Sequence, residues 1–382
     1  MLSSERMTAA AIAALLGWLG GCLPSAETLP APIPAGEGLD AQFVVQNANR
    51  PAALAFAPDG RLFYTERASG LIHVVSDTTL RSEPFASVPV NSAGDRGLNG
   101  IALHPDFARN GRVYVFYSRA DIGVSTSSAG SIIDHRIVYF EALGDVASGG
   151  EVFVASLPLG PATTRLGGRI AFARDGTLLV GFGDQTDTGS PQTPGVLGGK
   201  ILRYNDDGSI PADNPNPASP VFATGVADVR GLTVDPLTGL LFIVDRTDGA
   251  NEEVHRVNSG ANLGWPAVAG VADTTAELDF TAANAGVVDP LLDTRGERLL
   301  IVGGGFNPST RYGVATQNHF FYGETTRNQV THAAIDGDRA AIGTREKFAG
   351  GFPGPITDVA FSPAGTLYIA CENAILRLAP RR

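Results

Sequence analysis

The sequence is poor in cysteine and in basic residues, and both shortages narrow the classes of protein that it can encode. It contains only two cysteines, Cys22 and Cys371, so a small fold held together by several disulfides is excluded. Its 28 Lys and Arg residues are outnumbered by 39 Asp and Glu residues, which gives a net charge of −11. Because binding to a phosphate backbone requires clustered Lys and Arg side chains, we predict no nucleic-acid partner.

The sequence also lacks an apolar run long enough to span a bilayer, which takes about 20 residues. The N-terminal run at residues 9–19 is shorter and follows Arg6, as in an export signal. It ends in Leu-Gly-Gly-Cys at residues 19–22, which resembles the bacterial lipobox. We therefore predict that residues 1–21 are a lipoprotein signal peptide and that Cys22 is lipidated. An ordinary secretory signal that contains a cysteine is the alternative.

The residues after Cys22 predict where the protein is anchored. Leu23 stands where an aspartate would indicate retention in the inner membrane. In a cell with two membranes we therefore predict an outer-membrane anchor facing the periplasm or the cell surface, with the lipid as the only membrane contact. Residues 22–41 are rich in Pro, Ala and Gly and are predicted to form a flexible tether. The folded domain is predicted over residues 42–382, with Cys371 as a buried, inert thiol.

What the chain has in abundance is glycine and proline, 47 and 25 residues, spread between short apolar runs. One phrase recurs, in which a turn with Gly joins two apolar runs, at residues 54–66, 101–118, 170–184, 232–245 and 359–372, with a weaker copy at 319–335. Each copy predicts a β-hairpin, because Asp-Gly and Thr-Gly pairs supply the positive φ of hairpin turns. One hairpin cannot bury its own apolar face, so the copies must stack or close into a ring. Six copies predict an all-β, six-bladed β-propeller, and a two-domain β-sandwich is the alternative.

Four longer segments carry a resemblance to a known family: residues 94–107 (GDRGLNGIALHPDF), 198–217 (GGKILRYNDDGSIPADNPNP), 251–266 (NEEVHRVNSGANLGWP) and 302–313 (VGGGFNPSTRYG). Over about residues 45–380 the chain is similar to the soluble quinoprotein glucose/sorbosone dehydrogenases. The resemblance implies a six-bladed propeller that holds pyrroloquinoline quinone (PQQ) at the mouth of its central channel. It also implies calcium as a second cofactor and oxidation of an aldose sugar as the reaction.

The resemblance fails at the catalytic base. In the family, the histidine of a His-Asn-Gly-Gly-Arg motif takes a proton from the sugar while hydride passes to the quinone. Here the motif is Arg-Leu-Gly-Gly-Arg at residues 165–169, so Arg165 stands in the place of the histidine. A guanidinium stays protonated and offers no lone pair, so it cannot act as a general base. Arg169 is retained, as are Asp184 and Gln185, which in the family support the histidine.

Other positions at which the family contacts the quinone have also changed. They now hold Arg96, Ala227-Asp228, Asp245-Arg246-Thr247, Pro355 and Thr357. From the resemblance, the candidate cofactor-binding residues are Arg96, Arg165, Arg169, Asp228 and Arg246. We expect Arg96, Arg165 and Arg169 to converge at the channel mouth, with Asp184 within reach of at least one of them.

Two functions are compatible with these residues. In the first, the propeller is non-catalytic or re-purposed, and its arginines bind an anionic small molecule or a protein partner at the mouth. The alternative for these arginines is pairing with nearby carboxylates, namely Asp95, Asp184, Asp228 and Asp245. In the second function, the protein is a divergent PQQ-dependent sugar dehydrogenase that uses Asp184 or Asp228 as its base. Neighbouring arginines are expected to lower the pKa of either aspartate, which disfavours that role.

A metal site is a further candidate in the segment 198–217. Asp206, Asp207 and Asp213 offer the carboxylate oxygens that calcium prefers. Their spacing is not that of an EF-hand loop, and the same residues are equally suited to a long turn.

Overall fold

The computed structural model describes residues 30–76, 78–247 and 251–381. The predicted signal peptide and Cys22 therefore lie outside the described residues. Within the described residues, no helix combines the length and the apolar character needed to cross a membrane.

The strands form small antiparallel sheets that follow one another along the chain. The first sheet contains β3 (Pro51–Phe56), β4 (Leu62–Glu66), β5 (Leu71–Ser76), β6 (Thr79–Leu80) and β7 (Ala86–Ser87). The second contains β8 (Leu98–Leu103), β9 (Arg112–Arg119), β10 (Asp134–Leu143), β11 (Val146–Ala147) and β12 (Val152–Leu157). The third contains β13 (Gly167–Phe172), β14 (Leu178–Phe182), β15 (Lys200–Tyr204) and β16 (Val221–Thr224).

Three more sheets complete the set. The fourth contains β17 (Val229–Val234), β18 (Leu241–Arg246), β19 (Glu252–Val257) and β20 (Leu292–Asp293). The fifth contains β21 (Ile301–Phe306), β22 (Phe320–Glu324), β23 (Gln329–Ile335) and β24 (Ile342–Gly350). The sixth contains β25 (Ile356–Phe361), β26 (Leu367–Cys371), β27 (Ala374–Pro380), β2 (Leu39–Gln46) and β1 (Ile33–Gly36). Two short helices, α1 (Phe107–Asn110) and α2 (Thr275–Ala283), lie in connections.

The first strand of each sheet lies at the centre of a closed ring. In order around the ring, β3, β8, β13, β17, β21 and β25 each contact the next, and β25 contacts β3. Apolar side chains of neighbouring sheets meet between them, as where Phe63 and Val74 of the first sheet pack with Val115 and Tyr117 of the second. The predicted six-bladed β-propeller is confirmed, and each blade buries its apolar face against the next blade.

The N-terminal strands close the ring by completing the last blade. β2 pairs antiparallel with β27, from Leu39 opposite Pro380 to Gln46 opposite Ala374. The structure therefore begins the propeller at Ile33, whereas the sequence analysis assigned residues up to 41 to a flexible tether. The composition concealed these strands, because Pro, Ala and Gly are typical of linkers, yet Ala35 and Ala41 are buried in the core of the last blade.

Five of the six hairpin phrases form the first two strands of a blade, as predicted. The weaker copy at 319–335 instead forms β22 and β23, the second and third strands of the fifth blade. Its inner strand is the glycine-rich β21. Gly303 in that strand has φ of 64°, and a Cβ there would lie 2.5 Å from Asp358 Oδ1. The hairpin phrase is missing at β21 because glycines allow this close approach and a longer connection replaces the tight turn.

The buried position predicted for Cys371 is confirmed. Cys371 ends β26 and is fully buried in the core of the last blade. Burial raises the pKa of its thiol to about 12, which keeps it protonated at neutral pH.

Ring closure through β2 gives a test of the fold. A chain that begins at Ala48 lacks β1 and β2, so the apolar β27 residues Leu376 and Leu378 lose their cover. We expect its melting temperature, measured by circular dichroism, to fall by roughly 10 °C or more. The matched control is a chain that begins at Pro30, which keeps both strands and should melt like the full chain. Equal melting temperatures for the two truncated chains would contradict closure by β2.

Candidate functional site

A cavity of about 380 Å³ with several charged side chains in its lining lies where the inner strands begin, at one mouth of the central channel. The first residues of β3, β13, β17, β21 and β25 and the loops around them form its wall. Its charged lining consists of five arginines and three carboxyl groups: Arg50, Arg67, Arg169, Arg230, Arg246, Asp95, Glu252 and Glu372. The arginines therefore outnumber the carboxyl groups, although the whole chain carries a net charge of −11.

A second cavity, of about 580 Å³, continues along the inner strands toward their other ends. Its wall is mainly apolar and includes Phe172, Val234, Phe306 and Phe361. Arg169 lines both cavities. Its guanidinium pairs with Asp358 (Nη1 to Oδ1, 3.2 Å) and donates to the carbonyl oxygen of Thr357 (3.1 Å).

Four of the five cavity arginines lie within ion-pairing distance of a carboxylate, namely Arg50, Arg169, Arg230 and Arg246. Arg230 donates to Asp228 Oδ2 (2.7 Å) and to Asp95 Oδ2 (3.2 Å), and the charge of Asp228 is the main cause that raises the pKa of Arg230. Arg50 pairs with Glu372 at 3.0 Å, and both side chains are about half exposed. The predicted pairing of arginines with Asp95 and Asp228 is confirmed, and it reduces the positive charge that a ligand meets.

Arg67 is bound differently from the other cavity arginines. Its Nη1 donates to the main-chain oxygens of Gly94 and Arg96, both at 2.7 Å. Among the described residues, no carboxylate lies within ion-pairing distance of its guanidinium. Burial, together with the charges of Arg50 and Arg230, lowers its pKa. Arg67 is therefore a cavity cation that main-chain dipoles hold in place and that no carboxylate neutralises.

Arg165, in the place of the family's base, is held firmly in a packed cluster. Its Nη2 lies 2.6 Å from Asp184 Oδ2, and its guanidinium stacks over the Trp265 ring at 4.7 Å. Trp265 Nε1 donates to the same Asp184 oxygen at 2.8 Å, and the main-chain nitrogen of Thr186 donates to the other at 2.8 Å. The Arg165 side chain does not line the central cavity. It is thus a structural ion pair and offers no group that takes a proton.

Asp184 was a candidate base, with a pKa that nearby arginines were expected to lower. The structure reverses that expectation, because burial raises the pKa of Asp184 and outweighs Trp265, Thr186 and Arg165, which lower it. Both of its oxygens nevertheless accept hydrogen bonds from the protein. Asp228 is committed in the same way, to the main-chain nitrogen of Gly167 (3.0 Å) and to Arg230. Every oxygen of these two aspartates therefore already accepts a hydrogen bond from the protein, which disfavours either side chain as a base.

Two further predicted site residues are turned away from the cavity. Arg96 is buried and donates to the carbonyl oxygens of Ala129 (2.9 Å) and Ala162 (3.5 Å). The side chain of Gln185 accepts hydrogen bonds from His135 Nε2 (3.0 Å) and the Gly160 nitrogen (2.8 Å). Of the three arginines expected to converge at the mouth, only Arg169 lines it. The part of the expectation that places Asp184 within reach of an arginine is confirmed by its pair with Arg165.

Asp245 was expected to pair with an arginine, and the structure corrects this. Its two oxygens instead accept the main-chain nitrogens of Ala227 (2.9 Å) and Asp228 (2.7 Å). Burial raises its pKa to about 7. Arg246, on the same strand, lines the cavity and faces Glu252, with Nε 3.7 Å from Oε1.

The three aspartates proposed for calcium serve separate partners. Asp206 pairs with Arg112 at 3.0 Å, Asp207 accepts from the Ser209 nitrogen at 2.9 Å, and Asp213 pairs with Arg203 at 2.9 Å. Throughout the described ranges, no group of three or more His, Cys, Asp or Glu side chains converges as a metal site would require. These contacts support the alternative, in which the aspartates shape a long turn, and the described carboxylates do not fit a calcium ion.

The residue that sequence reasoning missed is Glu252, the first residue of β19. It lines the cavity and is fully buried, and neither carboxyl oxygen has a hydrogen-bond partner among the described residues. Burial raises its pKa to about 8. The only signal in the sequence is an acidic residue at the start of a run that was predicted as a strand, and a single such residue is usually solvated. Arg50, Arg67 and Glu372 were missed as well, because they lie in connections between strands without a motif.

Comparison with known proteins agrees with the fold. The family model described as "Glucose / Sorbosone dehydrogenase" matches residues 48–378. Aldose sugar dehydrogenase YliI of Escherichia coli is 26% identical over 346 residues, which cover 87% of this chain and 91% of that protein. Quinoprotein glucose dehydrogenase B of Acinetobacter calcoaceticus is 29% identical over 275 residues, 65% of this chain, and the match spans only 57% of that enzyme. The PQQ-bound aldose sugar dehydrogenase of Streptomyces coelicolor is a similar solved structure, with 27% identity, a TM-score of 0.74 and coverage of 91% and 99% of the two chains.

The Arg165–Asp184–Trp265 cluster predicts a large loss of stability when its carboxylate is removed. Asp184→Ala leaves a guanidinium and an indole N–H without their buried acceptor, so we expect the free energy of unfolding to fall by roughly 3 kcal/mol. Asp279→Ala is the matched control, because Asp279 is exposed on α2. Urea unfolding of both variants checks the prediction. If Asp184→Ala unfolds at the same urea concentration as the control, the cluster is not the structural ion pair described above.

Proposed function

Because the chain belongs to the glucose/sorbosone dehydrogenase family, we propose that it uses the family's central cavity to bind a small anion with several carboxylates. In this proposal the chain does not perform the family's histidine-based sugar oxidation. The observation that carries the proposal is the excess of arginines over carboxyl groups in the cavity lining, on a protein whose net charge is −11. Guanidinium groups bind carboxylates through charge-assisted, often bidentate hydrogen bonds, which favour anions over neutral sugars.

The state of the catalytic position supports the non-catalytic part of the proposal. Arg165 stands in the place of the family's histidine. Its guanidinium pairs with Asp184 and stacks on Trp265, so the protein itself occupies the contacts at this position. Asp184 and Asp228 accept hydrogen bonds from the protein on both oxygens. Glu252, with a pKa of about 8, is mostly protonated at pH 7 and does not replace the histidine as a base there.

A PQQ-dependent sugar dehydrogenase is the second candidate, and the same lining favours it. PQQ carries three carboxylates, and Arg67, Arg230 and Arg246 are the residues that would hold them in this cavity. The bound quinone would supply the acceptor for a hydride. The similar Streptomyces coelicolor protein has been solved with PQQ bound. The residues present thus fit the carboxylates of the quinone. Of the carboxyl groups in the described lining, Asp95 and Glu372 are paired with arginines and Glu252 is mostly protonated at pH 7, so none is a free base for the sugar's proton.

Ligand-induced stabilisation tests the proposal. Benzene-1,3,5-tricarboxylate should raise the melting temperature in a concentration-dependent way, by mass action, and its neutral tricarboxamide should not. Arg67→Gln removes the cavity cation that has no carboxylate partner, so we expect about tenfold weaker binding or more. Arg109→Gln is the matched control, because it removes the same charge from an exposed position on α1.

Two outcomes would overturn the proposal. One is a wild-type protein that the tricarboxylate does not stabilise at any concentration. The other is oxidation of an aldose by the protein reconstituted with PQQ and calcium, measured as sugar-dependent bleaching of a redox dye. In that second case the sugar dehydrogenase is the correct function.

We also propose that the protein is exported and anchored through a lipid on Cys22, with residues 1–21 removed. The support is the lipobox-like Leu-Gly-Gly-Cys segment at the end of a short apolar run. Cys22→Ser should move the protein from the membrane fraction to the soluble fraction of the cell envelope, as measured by fractionation and immunoblotting. A variant that stays with the membranes as the wild type does would show that Cys22 is not the anchor.

A further inference from the structure

The Glu252 carboxyl is unlike the other acidic groups of the central cavity. Asp95 accepts hydrogen bonds from Arg230 and from the Arg165 nitrogen, and Glu372 accepts them from Arg50. Glu252 is fully buried, yet its two oxygens have no hydrogen-bond partner in the ranges that the structure describes. Buried polar groups nearly always have such a partner. Since Glu252 lines the cavity, a molecule bound there is in a position to provide it.

The charges of Arg246 and Arg230 favour the ionised form of Glu252, but burial outweighs them. Arg246, beside it on β18, approaches only to 3.7 Å. Arg230 on β17 is already paired with Asp228 and Asp95. The negative charges of Asp228 and Asp245 oppose ionisation.

The other side of β19 adds no counter-charge for Glu252. Thr294, on the side of β20, donates its hydroxyl to the main-chain oxygen of Glu252, and the adjacent Glu253 is bound to His255. Burial therefore dominates and raises the pKa of Glu252 to about 8. At neutral pH the side chain is mainly a carboxylic acid, which is a hydrogen-bond donor.

We propose that Glu252 is a ligand-binding residue whose protonated carboxyl donates a hydrogen bond to an oxyanion held by the cavity arginines, so that anion binding is coupled to a proton. This inference rests on the proposed function, since it needs an anion in the central cavity. It assigns the ligand class more narrowly, as a polycarboxylate in which one oxygen faces Glu252 while others face Arg67, Arg230 and Arg246.

The sign of the pH dependence follows from the charge of Glu252. Below its pKa the acid donates to the anion and adds no charge. Above its pKa the carboxylate repels the anion and has no proton to donate. Because the folded chain holds this proton to about pH 8, affinity should be nearly constant up to pH 7 and fall at higher pH.

Isothermal titration with benzene-1,3,5-tricarboxylate, which is fully ionised above neutral pH, measures this coupling. For a pKa of about 8, the dissociation constant of the wild type should rise about tenfold between pH 7 and pH 9. Glu252→Gln keeps a hydrogen-bond donor without a titrating group. It should bind within about threefold of the wild type at pH 7 and show no such rise, because an amide stays neutral.

The matched control is Glu372→Gln, which removes another carboxylate of the same cavity and leaves Glu252 in place. It should strengthen binding at both pH values and keep the tenfold rise. A second readout is proton uptake, obtained by titrating in two buffers of different ionisation enthalpy at pH 8.5. The wild type should take up part of a proton on binding, and Glu252→Gln should take up less. This comparison also separates Glu252 from Asp245, whose pKa is about 7.

The outcomes separate this inference from the function on which it rests. If the tricarboxylate binds the wild type equally at pH 7 and pH 9, or if Glu252→Gln keeps the full rise, the role of Glu252 is wrong while anion binding stands. If the wild type binds no tricarboxylate at either pH, the proposed function itself fails. Should Glu252→Gln fold poorly, its melting temperature will show it. The proton uptake of the wild type then decides alone, and no uptake at pH 8.5 would overturn the inference.

Discussion

The pairing of β2 with β27 is the contact on which the rest of the structure depends. Six blades bury their apolar faces only against one another, so the arrangement is complete only when the last blade meets the first. By contributing β1 and β2, the N-terminal segment ties the start of the chain to its end. Ring closure then fixes the first residues of the inner strands around one axis. The cavity arginines meet there from segments that are far apart in the chain, such as Arg67 and Arg246.

Charge near that axis is arranged in pairs, and the pairs explain how an arginine can stand at position 165 without loss of the fold. Arg165 brings a positive charge beside Asp184, where the family that the chain belongs to has a titratable histidine. The aspartate and the indole of Trp265 accommodate the guanidinium, and Arg165 Nε is the only buried polar side-chain atom of this cluster without a hydrogen-bond partner among the described residues. Arg230 is balanced by Asp228 and Asp95 in the same manner. The scaffold thus tolerates the exchange because each new cation has a carboxylate within reach.

The fold was largely predictable from the sequence, whereas the site was predictable only in part. The repeated turn phrases depend on local backbone geometry, which is why five hairpins were predicted correctly. Strand β21 was missed because its glycines are required for close packing and not for a turn. The arginine at position 165 could be seen in the sequence, since it depends on residue type alone. The inward or outward direction of a side chain depends on the loop that carries it. Arg96 therefore turned away to the carbonyl of Ala129, and Arg67 and Glu252 entered the lining without any motif.

Arg169 has a consequence for how a ligand travels. Its pair with Asp358 lies where the arginine-lined cavity gives way to the one walled by Phe172, Phe306 and Phe361. An anion that moved past this point would leave behind four of the five guanidinium groups that line the first cavity. Among the described residues that line the second cavity, Arg169 is the only cation, and it is paired with Asp358. A preference for anions is therefore expected only at the arginine-lined end of the axis.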